Sequence, residues 1–129
     1  MRRSVFLSAL LAIAMAAVVA MPGRAQAQEF RLLMISQVGC YVCVAFNRDV
    51  APAYEASPEQ AVAPLIHADL HGPMPEGVTL ASRPFVTPTF ILIGPNGQEL
   101  DRLVGFPGED FFWAYVNEMF ARARTSQSG

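Results

Sequence analysis

The 129-residue chain contains only two cysteines, Cys40 and Cys43, and they lie three positions apart. A mainly apolar run at 30–36 precedes them, and a helical pattern at 41–50 follows. The first amides of a helix lack partners within it and point toward the residue that precedes it. The helix dipole favours an anion there by ~0.3–1 kcal/mol at exposed sites and by up to ~2 kcal/mol when partly buried. Cys40 is therefore predicted to be the exposed thiolate nucleophile, and Cys43, one turn inside, to resolve the mixed disulfide that it forms.

A purely structural disulfide is the usual role of a cysteine pair in an exported protein. The close spacing argues against that role here, because linking Cys40 to Cys43 constrains the unfolded chain much less than closing a long loop would. The pattern favours a redox-active disulfide.

Two histidines, His67 and His71, give the chain a second pattern that is found in zinc sites, C-x2-C together with H-x3-H. The 23 residues between Cys43 and His67 exceed the usual spacing, and the two histidines fall in a predicted strand and the loop after it. We therefore predict no metal site. No histidine directly follows Cys43, so the haem attachment motif is absent, and no motif for a small-molecule cofactor is present.

The elements that position the cysteines follow from hydrophobic periodicity and from turn residues. In chain order, the predicted elements are a strand (30–36), a helix (41–50) ended or kinked at Pro52, a polar linker around 57–60, a strand (63–70), a loop (71–86) with one helical turn around 79–82, two hairpin strands (90–93 and 98–105) and a helix from Gly108. A parallel crossover followed by an antiparallel hairpin predicts an α/β fold with a mixed four-stranded sheet, βαβ then ββα, flanked by helices.

The N-terminal segment resembles a targeting signal. Arg2 and Arg3 precede an apolar stretch at 5–21, and Ala25-Gln26-Ala27 forms a small-x-small cleavage pattern. We therefore predict a signal peptide at 1–27, cleaved after Ala27, and one domain at 28–129. A retained membrane anchor is the alternative, since this 17-residue stretch, apolar except for Ser8, is at the short limit for crossing a bilayer.

The predicted mature domain is acidic. It carries six arginines, no lysine and eleven aspartates and glutamates, which gives a net charge of −5. Nucleic acids and anionic membranes recruit clustered positive charge, so neither is expected as a partner.

The chain resembles the thioredoxin superfamily over nearly all of its predicted mature length. The resemblance lies in residues 40–43 (Cys-Tyr-Val-Cys), in 87–90 (Thr-Pro-Thr-Phe), in the hairpin and in 104–106 (Val-Gly-Phe) before the last helix. More narrowly, Gly39-Cys40, 87–90 and 105–113 are similar to the periplasmic thioredoxins of bacterial sulfur oxidation, the SoxS type.

That resemblance implies that Pro88 is cis and packs opposite the cysteines, while Thr87 offers its backbone to an extended substrate segment. Tyr41 and Val42 complete the expected substrate-binding set. The implied protein is a periplasmic thiol–disulfide oxidoreductase that reduces or isomerises disulfides in exported partner proteins, with sulfur-oxidation carrier proteins as candidate clients. A membrane or periplasmic dithiol protein would supply its electrons.

The chain departs from the superfamily at three places. Gly39 replaces the usual tryptophan, Met34 replaces the buried acid six residues before the first cysteine, and Tyr41-Val42 includes neither histidine nor a cation. A strongly stabilised thiolate then has no evident cause, which favours a reductase or isomerase. Two alternatives remain: a disulfide-forming oxidase on the same fold, and a non-catalytic metal chaperone that uses the two sulfurs.

Two further segments have a predicted setting. Residues 111–113 (Phe-Phe-Trp) are expected mainly in the core. Residues 83–85 (Arg-Pro-Phe) form either a substrate-facing loop or a polar loop with one buried phenylalanine.

Overall fold

The computed structural model describes residues 29–129, so the predicted signal peptide lies outside the described residues. Within that range the chain forms four strands and four helices. In order they are β1 (Arg31–Ser36), α1 (Tyr41–Asp49), α2 (Ala51–Glu55), α3 (Pro58–Val62), β2 (Leu65–Asp69), β3 (Thr89–Ile93), β4 (Glu99–Val104) and α4 (Glu109–Gln127).

The four strands form one mixed sheet in the order β2-β1-β3-β4. Strand β1 pairs with β2 in parallel across the helical crossover, and β3 pairs antiparallel with both β1 and β4. The predicted α/β architecture is confirmed. The parallel pair puts the carboxyl ends of β1 and β2 at one edge of the sheet, where the antiparallel β3 begins.

Both faces of the sheet are covered, which explains why its central strands are continuously apolar. Leu32 and Met34 of β1 pack on the larger core with residues of α1, α2 and α4. Leu33 and Ile35 point the other way, into a smaller core closed by the segment between β2 and β3. Period-two alternation along β1 therefore distributes its side chains between two cores.

Two local predictions are wrong. The linker expected around 57–60 lies instead in and around α3, because Ser57 precedes a proline in the first turn and Glu59 follows, a pattern that starts helices. The helical turn expected around 79–82 is absent, because Thr79 pairs its backbone with the hairpin through a bridge to Gln98. The expected break at Pro52 is confirmed: α1 ends at Asp49, and Pro52 lies in the first turn of α2.

Candidate active site

The two cysteines form a disulfide at the amino end of α1, with their Cα atoms 5.3 Å apart. Cys40 is the N-cap of that helix, in extended conformation, and its Sγ accepts a hydrogen bond from the Cys43 backbone N–H at 3.1 Å. Cys40 is partly accessible, whereas Cys43 is buried against the larger core. The first sulfur is thus the one that a partner can reach, and a helix amide faces it.

The loop before Cys40 has a conformation that suits glycine. Gly39 has a φ of +84°, a region that residues with a side chain enter only with strain. A tryptophan at this position would require a different loop, which accounts for the departure from the superfamily pattern. The Cys40 backbone N–H donates to the Gln37 carbonyl at 3.2 Å and closes the turn.

The segment that leads into β3 lies against this loop. The Thr87–Pro88 peptide bond is cis, and Pro88 is buried. The Pro88 carbonyl accepts the Gly105 N–H at 2.8 Å, and the Gln37 side-chain amide donates to Thr87 Oγ1 at 3.0 Å. Three separate segments, after β1, before β3 and after β4, therefore meet at the edge of the sheet that carries the disulfide.

Gln37 was missed by the sequence analysis. Its neighbours in the chain give no sign that its side chain contacts Thr87, fifty residues away. A polar residue between an apolar strand and a Cys-x-x-Cys helix is the only signal that the sequence offered.

Exposed apolar side chains surround the disulfide. Val38 and Tyr41, which flank Cys40 in the chain, are exposed, and Val42 is partly buried. The predicted substrate-binding residues Thr87 and Pro88 lie on the loop that Gln37 holds. An exposed apolar surface beside a disulfide fits contact with a protein substrate.

No acid lies beneath the cysteines at the position that the sequence singled out. Met34 is fully buried on the same face of the sheet as Cys43 and Phe46. His67 pairs with Met34 in the register of β1 with β2 and is itself exposed, and the exposed His71 follows β2. Across residues 29–129, no three histidine, cysteine, aspartate or glutamate side chains come together in a group that could hold a metal ion.

The aromatic segment 111–113 divides between core and surface. Phe112 is buried against Phe46 and Phe90, at centroid distances of 5.0 Å to each. Trp113 stacks on Tyr54, whereas Phe111 is exposed. The expectation of a core position therefore holds fully only for Phe112.

A disulfide at the start of the helix that follows the first strand of this sheet is the arrangement of the thioredoxin fold, and by class the chain is a thiol–disulfide oxidoreductase. No protein-family model and no curated protein matches it. Among solved structures it matches the periplasmic thioredoxin SoxS from Paracoccus pantotrophus in its reduced form, with 39% sequence identity and a TM-score of 0.70. The match covers 74% of this chain and 99% of that one. The chain belongs to the SoxS-type thioredoxins.

Between residues 29 and 129, none of the helices combines the length and the apolar character needed to cross a bilayer.

Proposed function

We propose that the protein is a periplasmic thiol–disulfide oxidoreductase that reduces or isomerises disulfides in exported partner proteins. The position of Cys40 carries the proposal: the residue is partly accessible and lies at a helix N-cap, and its sulfur accepts the Cys43 amide at 3.1 Å. The amide and the helix dipole that face this sulfur in the disulfide also stabilise its thiolate after reduction. The predicted signal peptide and the periplasmic location stated for the matched SoxS support the compartment.

The reaction proceeds by two thiol–disulfide exchanges. The Cys40 thiolate attacks one sulfur of a client disulfide, forms a mixed disulfide with the client and releases the other client sulfur as a thiolate. Cys43 then loses its proton and attacks Cys40 Sγ, which releases the second client thiol and closes the Cys40–Cys43 disulfide. The client gains two electrons and the protein loses two. A partner dithiol protein restores the reduced state by the same exchange in reverse.

The surroundings of Cys40 favour the reducing direction. Among the hydrogen bonds of residues 29–129, the Cys43 amide is the donor to Cys40 Sγ, and neither residue between the cysteines is a histidine or a cation. A strong oxidant needs additional stabilisation of its reduced thiolate. Because the buried Met34 replaces the acid of many thioredoxins, proton transfer to and from Cys43 must use water or another group.

Sulfur-oxidation carrier proteins with a reactive cysteine are the clients that the SoxS-type relationship suggests. The reactive cysteine of such a carrier, held in a disulfide, would be attacked by Cys40, and Cys43 would then resolve the mixed disulfide and release the carrier thiol. The donor of electrons would be a membrane or periplasmic dithiol protein, since the proposed exchange requires no small-molecule cofactor.

Insulin reduction tests the activity directly. The wild-type protein, supplied with a chemical dithiol, is expected to reduce insulin disulfides, whereas Cys40→Ser abolishes turnover. Cys43→Ala should keep the first exchange and accumulate mixed disulfides, which can be isolated from the native host and identified by mass spectrometry. An inactive wild-type protein that retains stoichiometric zinc or copper(I) would overturn the proposal in favour of a metal chaperone.

The direction is tested by equilibrating the Cys40–Cys43 pair with glutathione buffers. We expect a potential close to those of reducing thioredoxins, about −270 mV, or of isomerases, about −180 mV. A potential near about −120 mV, typical of the strongest oxidants, would instead assign the protein as a disulfide-forming oxidase.

A further inference from the structure

A groove runs along the segment that leads into Pro88. It consists of two adjoining cavities of about 350 and 280 Å³ that share Leu70, Arg83 and Pro84 in their walls. His71 and Phe85 complete the first cavity, and Gly72, Met74 and Leu80 complete the second. The segment 83–85, which the sequence left open between two interpretations, therefore forms a wall of this groove.

The groove lies at the edge of the sheet that carries the disulfide. The Leu70 N–H donates to the Ser36 carbonyl at 2.8 Å, and Ser36 ends β1 four residues before Cys40. At the other end, Phe85 is two residues from Thr87, which Gln37 holds beside the Cys40 loop. A client segment bound along Thr87 can therefore continue into the groove.

Most of the side chains that line the groove are apolar, and Arg83 belongs to the walls of both cavities. Phe85 is 83% exposed, so the interpretation as a loop with a buried phenylalanine is wrong. The arginines at 48, 102, 122 and 124 each lie within 4.0 Å of a carboxylate of the chain. Within residues 29–129, two arginines have no such partner, Arg31 and, in this groove, Arg83. In a domain of net charge −5, its guanidinium offers an acidic client a local point of attraction.

We propose that this groove is a specificity subsite for the client segment beside the target cysteine. It takes an apolar client side chain between Leu70 and Phe85 and a client carboxylate at Arg83. In a client segment extended along Thr87, the acid is expected within a few residues of the reactive cysteine, since an extended chain rises about 3.3 Å per residue. The inference rests on the proposed function, because it takes the client to be an extended polypeptide at Thr87.

Peptide exchange at Cys40 tests the subsite without multiple turnover. In Cys43→Ala, Cys40 is loaded with thionitrobenzoate, and a peptide thiol then attacks Cys40 Sγ and releases the coloured thiolate. The probes are short peptides that contain one cysteine and one leucine. They differ only in one residue, Glu, Gln or Lys, which is placed three to six residues from the cysteine. We expect the Glu peptide to react about two- to five-fold faster than the Gln peptide, in line with an exposed ion pair, and the Lys peptide to be slowest.

Variants assign the preference to Arg83. Arg83→Gln should make the three peptides react equally, and Arg83→Glu should reverse their order. Arg124→Gln is the matched control, because it removes the same charge at the far end of α4 and should keep the Glu preference. Added salt should weaken the preference in the parent protein, since exposed charges are screened. Phe85→Ser should slow leucine-containing peptides relative to alanine-containing ones.

The outcomes separate the two proposals. Equal rates for all peptides, or a Glu preference that survives in Arg83→Gln, would overturn the subsite whether or not insulin is reduced. A Glu preference that depends on Arg83, in a protein that fails to reduce insulin, would support the subsite and overturn the reductase.

Discussion

Gln37 and Thr87 lie fifty residues apart in the chain and are joined by a hydrogen bond of 3.0 Å from Gln37 Nε2 to Thr87 Oγ1. The Gln37 carbonyl also accepts the Cys40 N–H. One residue thus connects the loop that presents the nucleophilic sulfur to the loop that ends in Pro88. This contact fixes the position of the Cys40 loop relative to the Thr87–Pro88 loop, and both loops are proposed to contact the client.

Gln37→Ala should lower kcat/KM for insulin reduction about five-fold, since a hydrogen bond of this kind contributes about 1 kcal/mol. The loss should affect mainly the reaction with the protein client, insulin, while the rate at which Cys40 reacts with a small disulfide stays the same. Gln98→Ala, at the exposed turn of the hairpin, is the matched control. If Gln37→Ala and Thr87→Val had additive effects in a double-mutant cycle, the two side chains would not act as a pair.

Glu99 and Arg102 attach the segment 79–82 to β4. Glu99 accepts the Ala81 N–H and two hydrogen bonds from Arg102, which also donates to the Ser82 carbonyl. Burial alone would raise the pKa of Glu99, but these hydrogen bonds outweigh it and lower that pKa below its ordinary value. The carboxylate is therefore more stable in the folded than in the unfolded protein.

Because the pKa of Glu99 is lower in the folded protein, the Glu99 carboxylate stabilises the fold at pH values above its unfolded pKa of about 4.3. This stabilisation is lost as the pH falls through the folded pKa. Glu99→Gln should thus lower the free energy of unfolding by about 1–2 kcal/mol at pH 7, with the difference shrinking below about pH 4. Urea denaturation across pH measures it. The control is Glu118→Gln, whose side chain is 67% exposed against 8% for Glu99. Equal losses in the two variants at pH 7 would contradict the prediction.

Tyr54 of α2 forms a buried hydrogen bond at the C-terminal end of α3. Its hydroxyl donates to the Ala63 carbonyl at 2.6 Å inside the core, and burial, followed by the charge of Glu59, raises the pKa of Tyr54. Tyr54→Phe leaves that carbonyl without its donor and should cost about 1–2 kcal/mol of stability with insulin reduction unchanged.

Denaturation followed by the fluorescence of the single tryptophan, Trp113, measures this loss. Tyr115→Phe changes a more exposed side chain on α4 and should stay within about 0.5 kcal/mol of wild type. If the two phenylalanine variants were equally stable, the buried hydrogen bond would contribute nothing.

Gly97 lies where the hairpin turn meets the long loop. Its φ is +80°, and a Cβ there would lie 1.8 Å from the Gly77 carbonyl oxygen, so alanine brings both strain and a clash with backbone. Gly77 has a similar φ of +74° with open space around it. Gly77→Ala should cost about 1–2 kcal/mol for conformation alone, and Gly97→Ala clearly more. Thermal unfolding compares them, and equal losses would show that the close approach has no energetic consequence.

The order of the four strands, α1 and α4 could be predicted because each is regular and marked by its own residues, whereas α3 was expected to be a linker. The break at Pro52 and the turn at 94–97 come from proline and glycine geometry that acts within a few residues. The segment 71–86 could not be predicted in the same way. Thr79 takes its partners from the hairpin some twenty residues further on, so its conformation depends on contacts that local patterns do not contain.

The sequence by itself determined the reactive pair, its place at the start of a helix and the mixed sheet beneath it. Those features follow from spacing and periodicity, which act locally. Only the tertiary structure brought Gln37 to Thr87 and placed Phe85 and Arg83 in a groove beside the disulfide edge. Such contacts join segments far apart in the chain, and packing of the sheet with its two cores decides which of them meet.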